Sequence, residues 1–231
     1  MSDTCVLYIV WDIGYMEKAC LSLKSFRRFH PDIDAAIVTD QITEEGMFES
    51  EMWLKLMDER HLTKTYNLAN FVDYTDYTKI LYLDADTYVC GDLSGLFELA
   101  DVFDFSLAHA PTRRLCKKQR RRDTSDAYAD FNSGVMMIRN SKNIKGILNA
   151  WAEDSRNYSA DQPALCELLY WFSPNISVCA LPPEYNARVG FPCFFSGEVK
   201  ILHAGGIDLC DASKRVNKSK GMRLWRHNVK N

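Results

Sequence analysis

The chain has 231 residues, 47% of them apolar, 12% aromatic and 26% charged, with a net charge of −3. That length supports one sizeable hydrophobic core, and the composition excludes a disordered or low-complexity chain. No apolar run approaches the roughly 18 residues that cross a membrane, and Met1-Ser2-Asp3-Thr4 lacks the basic-then-apolar pattern of a secretory signal.

Eight cysteines are scattered and none falls in a C-x-x-C pair. The spacing argues against a structural zinc site and favours free thiols in a reducing, cytoplasmic setting. The charge is uneven. Residues 1–110 carry 8 basic and 20 acidic side chains, and residues 111–231 carry 20 basic and 11 acidic ones. The second half is therefore suited to an anionic partner, such as a diphosphate, an acidic acceptor or a membrane surface.

Taken in order, Cys5–Trp11 reads as a buried strand, and Met16–Phe29 shows helical apolar spacing that Pro31 ends. Ala35–Thr39 is a second strand and Glu44–Arg60 a second amphipathic helix. A third helix over about Leu68–Tyr77 leads into the strand Lys79–Leu83. Strand, helix, strand, helix, strand predicts a parallel α/β arrangement. Strands Phe105–Ala108, Gly134–Ile138, Val178–Leu181 and Val199–His203 extend it, with helices Ile144–Asp154 and Gln162–Phe172 in the second half. Residues 112–130 read as a polar loop. The expectation is an α/β single domain over 1–210, a mixed, mostly parallel sheet flanked by helices, with a basic, mobile tail over 211–231.

The central chemical signal is Ile80-Leu81-Tyr82-Leu83-Asp84-Ala85-Asp86-Thr87. An apolar strand runs directly into two carboxylates one residue apart. Strand carboxyl ends are where α/β folds place ligands. Two acids so close repel each other unless a cation lies between them. Hard oxygen donors suit Mn²⁺ or Mg²⁺, which would in turn bind diphosphate oxygens. The glycine signatures of dinucleotide folds, P-loop ATPases and serine hydrolases are absent. His203 ends the apolar run Val199–Leu202, Asn132 and Ser133 precede the turn-like Gly134, and Asp161 two residues before Pro163 suits a helix start.

Four blocks in order, YTKILYLDADT (77–87), FNSGV (131–135), Asp161-Gln162 and His203-Ala204-Gly205-Gly206, resemble those of the glycogenin-like glycosyltransferases, family 8 of the retaining enzymes, with the GT-A fold. The resemblance runs from about residue 5 to 207. It implies that Asp84, Asp86 and His203 ligate a divalent metal, Mn²⁺ or Mg²⁺. It implies that Val10, Trp11 and Tyr15 cradle uridine, with Ala85 near the ribose, and that Gly206 admits the diphosphate. Asn132 and Ser133 would meet the donor sugar or the leaving group, and Asp161 and Gln162 would lie beneath the anomeric carbon. Asp130 stands one residue before FNSGV as a candidate base near the acceptor. The implied reaction is transfer from a UDP-sugar to a glycan or other hydroxyl, with retention.

Two family lysines are missing from the matched blocks. Gly206-Ile207-Asp208-Leu209-Cys210 has none until Lys214, and Leu68–Asn70, before the D-x-D strand, has none. Lys214, Arg215 and the basic run Arg113–Arg122 are the candidates to replace them. That run and the basic stretch Lys214–Lys230, with Met222, Leu224 and Trp225 interleaved, also suit peripheral contact with anionic lipid; nucleic acid is a weaker fit. The competing readings are a nucleotidyltransferase making sugar nucleotides, which lacks its glycine-rich basic loop here, and a basic membrane or nucleic-acid adaptor, which leaves the four blocks unexplained.

Overall fold

The structure, a computed structural model, describes residues 3–39, 52–55 (backbone only), 63–112, 121–172 and 175–226. The first half opens with β1 (Thr4–Val10), α1 (Ile13–Arg27), β2 (Asp34–Thr39) and β3 (Met52–Lys55). It continues through α2 (Lys64–Tyr74), β4 (Lys79–Leu83), β5 (Thr87–Val89), α3 (Ser94–Leu99) and β6 (Phe105–His109). The second half runs through β7 (Phe131–Arg139), α4 (Lys142–Ser155), α5 (Asp161–Phe172) and β8 (Val178–Leu181). It ends with β9 (Cys193–Phe195), β10 (Ile201–His203), α6 (Leu209–Val216) and β11 (Arg223–Trp225).

Among the described residues one sheet has the order β3-β2-β1-β4-β7-β6-β8. β1 pairs in parallel with both β2 and β4, and β7 is antiparallel to both its neighbours. Six strands therefore run one way and β7 alone runs back, which is the mixed, mostly parallel sheet that the alternation predicts.

Strand alternation explains the two-layer core. Cys5, Leu7 and Ile9 of β1, Ile80 and Tyr82 of β4, and Met136 and Ile138 of β7 face one side. There they meet Leu68 and Val72 of α2, Ile144 and Trp151 of α4, and Leu165 and Leu169 of α5. Val6, Tyr8, Leu81, Leu83, Val135 and Met137 face the other side, against Met16, Leu23 and Phe26 of α1 and Leu96 of α3. Side chains such as Trp151 and Phe26 are fully buried, each worth about 2–3 kcal/mol of apolar transfer.

Three expectations need correction. Met52–Lys55 is not part of a helix: it is an edge strand pairing in parallel with β2 from Ala36↔Met52 to Thr39↔Lys55. A free sheet edge offers its backbone partners that a helix pattern cannot reveal; the rest of Glu44–Arg60 lies outside the described residues. The helix expected from Leu68 begins at Lys64, because Thr63 caps it by accepting the N–H of Tyr66 at 3.4 Å. Residues 211–226 are also folded. The expected boundary falls within α6, whose Ala212 and Val216 are buried, and β11 pairs antiparallel with β9 through Trp225↔Cys193. These elements pack as a third cluster with Val199 and Leu202.

Candidate active site

The carboxyl end of β4 carries the site. The backbone leaves the sheet after Leu83, turns through Ala85-Asp86 and returns as β5. β5 pairs antiparallel with β10 in the register Thr87↔His203, which sets His203 beside the D-x-D turn. The N–H of Ala204 donates to the carbonyl of Asp86 at 3.1 Å and locks the two together. Nε2 of His203 stands 3.6 Å from Oδ2 of Asp84 and 3.3 Å from Oδ1 of Asp86. One ligand atom from each of the three residues lies within 4.8 Å of the others. Two carboxylate oxygens and one imidazole nitrogen form a donor set that fits Mn²⁺ or Mg²⁺.

Gly134 makes this convergence possible. A Cβ there would lie 2.1 Å from Cε1 of His203 and 2.6 Å from Oδ2 of Asp84, so only glycine lets the imidazole and the carboxylate meet over β7. The N–H of Asp84 donates to the carbonyl of Gly134 at 2.8 Å, carrying the β4–β7 ladder up to the ligand itself.

A chain of amides fixes the imidazole. The backbone N–H of Gly134 donates to Oδ1 of Asn132 at 3.1 Å, so that atom is an acceptor. Nδ2 of Asn132 therefore donates to Oε1 of Gln162 at 2.9 Å, and Nδ2 of Asn186 donates to Oδ1 of Asn132 at 2.8 Å. Oδ1 of Asn186 is left facing Nδ1 of His203 at 2.8 Å. Nδ1 then carries a proton, which leaves Nε2, the nitrogen that faces the two aspartates, as the atom that could ligate a metal.

Asp84 is held from behind. Its Oδ1 accepts from the Tyr82 hydroxyl at 2.7 Å and from Nζ of Lys64 at 3.4 Å, leaving Oδ2 on the His203 side. Burial, then the neighbouring Asp84 carboxylate, pushes the Tyr82 phenol well above 10, so it stays a donor. Lys64 also meets Oδ2 of Asp161 at 2.5 Å and Oγ of Ser133 at 3.0 Å. Burial works to discharge this ammonium, but Asp161 and Asp84 outweigh it and raise its pKa. Burial would likewise raise Asp161, yet the Lys64 charge and the Ser133 hydroxyl, donating at 3.0 Å, hold it below 3.8. The indole N–H of Trp151 donates to the carbonyl of Asp161 at 2.8 Å and pins the start of α5.

Lys64 is the residue the sequence reading missed. The helix expected from Leu68 starts four residues earlier, and Lys64 is its first residue. The signal was Thr63, a capping residue just before the helical pattern.

The other expected residues divide by depth. Tyr15 lies in the first turn of α1, 48% exposed, with Nζ of Lys18 at 4.5 Å from its ring centre. Val10 and Ala85 bury their side chains in the layer against α1, so only their backbone can face a ligand, and Trp11 packs against the opposite layer. Asp12 between them holds φ 66°, a left-handed conformation, and caps α1 by accepting the N–H of Tyr15 at 3.0 Å. Gly206 takes φ 73° in the exposed turn after β10, where a glycine is favoured. Asn132 and Ser133, 6% and 3% exposed, lie beneath the site and brace Gln162, Asn186, Lys64 and Asp161. They support the groups above them. Asp130 is buried at the root of β7, where its carbonyl accepts the N–H of Ala110 at 2.8 Å. Arg215 pairs with Asp211 at 3.0 Å and lies over the Trp225 ring. Of the run Arg113–Arg122, residues 113–120 lie outside the described residues. The N–H groups of Arg121 and Arg122 donate to the buried Glu167 carboxylate at 2.7 and 3.1 Å.

A mixed, mostly parallel sheet flanked by helices, with a D-x-D turn at the end of a central strand and a histidine set beside it by a late strand, matches the GT-A fold of glycosyltransferases. The galactosyltransferase LgtC, solved with donor and acceptor sugar analogs, superposes with TM-score 0.62 at 17% identity, covering 93% of this chain and 94% of that one. The glycosyltransferase GlyE of Streptococcus pneumoniae superposes with TM-score 0.59 at 22% identity, over 81% of this chain and 48% of that one. The sequence pattern of glycosyl transferase family 8 matches residues 14–203, and the chain belongs to that family.

Among curated relatives, GlyE is 28% identical over 124 residues, covering 52% of this chain and 27% of that protein. General stress protein A of Bacillus subtilis is 21% identical over 154 residues, covering 61% of this chain and 51% of that protein. The chain thus spans about a quarter to a half of the length of these relatives.

Proposed function

We propose that the protein transfers a sugar, a hexose or a close relative, from a UDP-sugar to a hydroxyl of a glycan or other acceptor, with retention at the anomeric carbon. The observation that carries the proposal is the convergence of Asp84, Asp86 and His203 within 4.8 Å at the end of β4. Family 8 membership supports sugar transfer over the nucleotidyltransferase and adaptor readings.

Asp84, Asp86 and His203 would hold Mn²⁺ or Mg²⁺, which when bound supplies positive charge to the diphosphate leaving group. Tyr82 and Lys64 orient Asp84, and the amide chain orients His203. The exposed ring of Tyr15 offers a face to the uracil, and the backbone at Val10–Trp11 and Ala85 offers the edges of the cradle. Lys64 keeps Asp161 ionised. A carboxylate under the sugar stabilises positive charge as the bond to the diphosphate breaks. The acceptor hydroxyl then bonds to the same face of that carbon, and its proton leaves on the departing diphosphate. Gln162, turned by Asn132, completes the polar floor.

The same proposal places the protein in the cytoplasm, in keeping with free thiols at Cys5, Cys20, Cys90, Cys166, Cys179, Cys193 and Cys210. It includes peripheral contact with anionic lipid. Phe194 and Leu224 pair across the β9–β11 ribbon and are exposed, as is Met222, with Lys218, Lys220 and Arg226 nearby in the chain. Flotation with phosphatidylserine vesicles, lost in Phe194→Asp/Leu224→Asp, checks that part.

The test of the activity is a thermal-shift screen of nucleotide sugars with and without Mn²⁺. The true donor raises the melting temperature only with the metal. No shift from any UDP-sugar in Mn²⁺ would overturn the proposal.

A further inference from the structure

The family's histidine block carries a lysine for the diphosphate, and this chain has none there: Asp208 instead caps α6, accepting the N–H of Asp211 at 2.9 Å. Yet a metal held by two carboxylates has its own charge balanced, and two phosphates arriving on it call for another cation. Lys64 is committed to Asp161 and Asp84, Arg215 to Asp211, and Lys200 to Glu198 at 3.0 Å.

Arg188 is placed differently. Ala187 is stitched to β10: its N–H donates to the carbonyl of Ile201 at 2.8 Å, and its carbonyl accepts the N–H of His203 at 2.9 Å. The residues on either side of it both reach the imidazole. Asn186 takes Nδ1 at 2.8 Å, and Nη1 of Arg188 stands 3.5 Å from Nε2, the nitrogen that faces the aspartates. Arg188 is half-buried, its guanidinium 6.0 Å from the centre of the Phe191 ring. Among the described residues no carboxylate lies within ion-pair distance of it, so its remaining donors are available to an anion at the rim of the triad.

We propose that Arg188 is the cation that receives the donor's diphosphate beside the metal. The inference rests on the UDP-sugar reading above. It makes Arg188 a leaving-group residue, whose planar fork suits two phosphate oxygens.

The test is calorimetry with Mn²⁺, UDP and UMP on the full chain, comparing wild type with Arg188→Met, which keeps the apolar contact with Phe191, and Arg188→Lys. The expected result is a loss of about ten- to a hundredfold in UDP affinity for Arg188→Met, the scale of one or two charge-assisted hydrogen bonds. UMP affinity should fall by less than about threefold, because most of that contact is absent, and Arg188→Lys should keep part of the UDP preference. Mn²⁺ alone should bind Arg188→Met at least as tightly as wild type, since a like charge has gone. An unchanged preference for UDP over UMP overturns the proposal while leaving metal-dependent UDP binding in place. Equal losses for UDP, UMP and Mn²⁺ also overturn it, by reducing Arg188 to a prop for His203. Wild type that binds no UDP in Mn²⁺ takes down both readings.

Discussion

The backbone N–H of Gly134 donates to Oδ1 of Asn132 over 3.1 Å, and this one main-chain donor decides which nitrogen of His203 can bind a metal. Side-chain amides can flip, but a backbone N–H cannot become an acceptor. Every later bond in the chain to His203 inherits its direction. Asn186→Leu removes the acceptor for Nδ1–H without touching a ligand. It should weaken Mn²⁺ binding by about ten- to a hundredfold, the usual worth of an orienting partner. Titration followed by electron paramagnetic resonance reads this directly; wild-type affinity would mean that the imidazole needs no orientation.

Asp84 and Asp86 should differ when removed. Either alanine variant abolishes metal-dependent UDP binding. Asp84→Ala also strips a partner from the buried Lys64 and the Tyr82 hydroxyl, so its melting temperature should fall. Asp86→Ala leaves Lys64 and Tyr82 with their partner and removes only the contact with His203 at 3.3 Å, so the metal-free protein should lose less stability than Asp84→Ala does. Equal melting temperatures for the two variants would contradict this division.

Asp161→Asn should reduce kcat far more than donor affinity, because a neutral amide keeps the shape but loses the charge that matters as the anomeric carbon becomes positive. Lys64→Met should produce much of the same defect with Asp161 still present. The paired steady-state constants check both, and a pure KM effect in Asp161→Asn would remove it from the chemistry. An inverted linkage in the product, read from its anomeric proton, would overturn retention.

Asp104 gives a pH prediction away from the site. Burial would raise its carboxyl, but the N–H and hydroxyl of Ser177, Arg139 and Ser141 bring it down to about 2. A depressed folded pKa means stability present above the unfolded value near 3.8 and lost as pH falls toward about 2. At neutral pH the linkage is about 2 kcal/mol. Asp104→Asn should lose about that much at pH 7 and almost nothing extra at pH 2. Urea unfolding at the two pH values tests it, and a pH-independent difference would show that shape rather than charge holds the site.

The central strands, the flanking helices and the paired acids after β4 were legible because each has a local cause, whereas His203 joined them through the resemblance of the four blocks. Strand β4 is an unbroken apolar run, and the acids at its end need a cation. What stayed hidden depends on partners distant in sequence. Met52–Lys55 becomes a strand only because β2 offers an edge. The antiparallel pairing of β9 with β11 joins segments about thirty residues apart, each too short to show a period. Asn186 and Arg188 lie in no motif; they matter because Ala187 between them is bonded to the strand that ends in His203. Lys64 was readable from its cap but was lost to a helix boundary placed four residues late.

The lone reversed strand has a consequence for how this scaffold can change. Because β7 runs against its neighbours, β6 ends and β7 begins at the same rim, with His109 opposite Phe131. The bond from Ala110 N–H to the Asp130 carbonyl, at 2.8 Å, closes the neck of everything between them. Glu167 fastens the returning arm at Arg121 and Arg122. The chain thus leaves the sheet after Ala110 and rejoins it at Asp130 on one rim. A change between those two points leaves the pairing of β4 with β7 in place, so the segment can vary in length while the turn that carries Asp84 and Asp86 keeps its position.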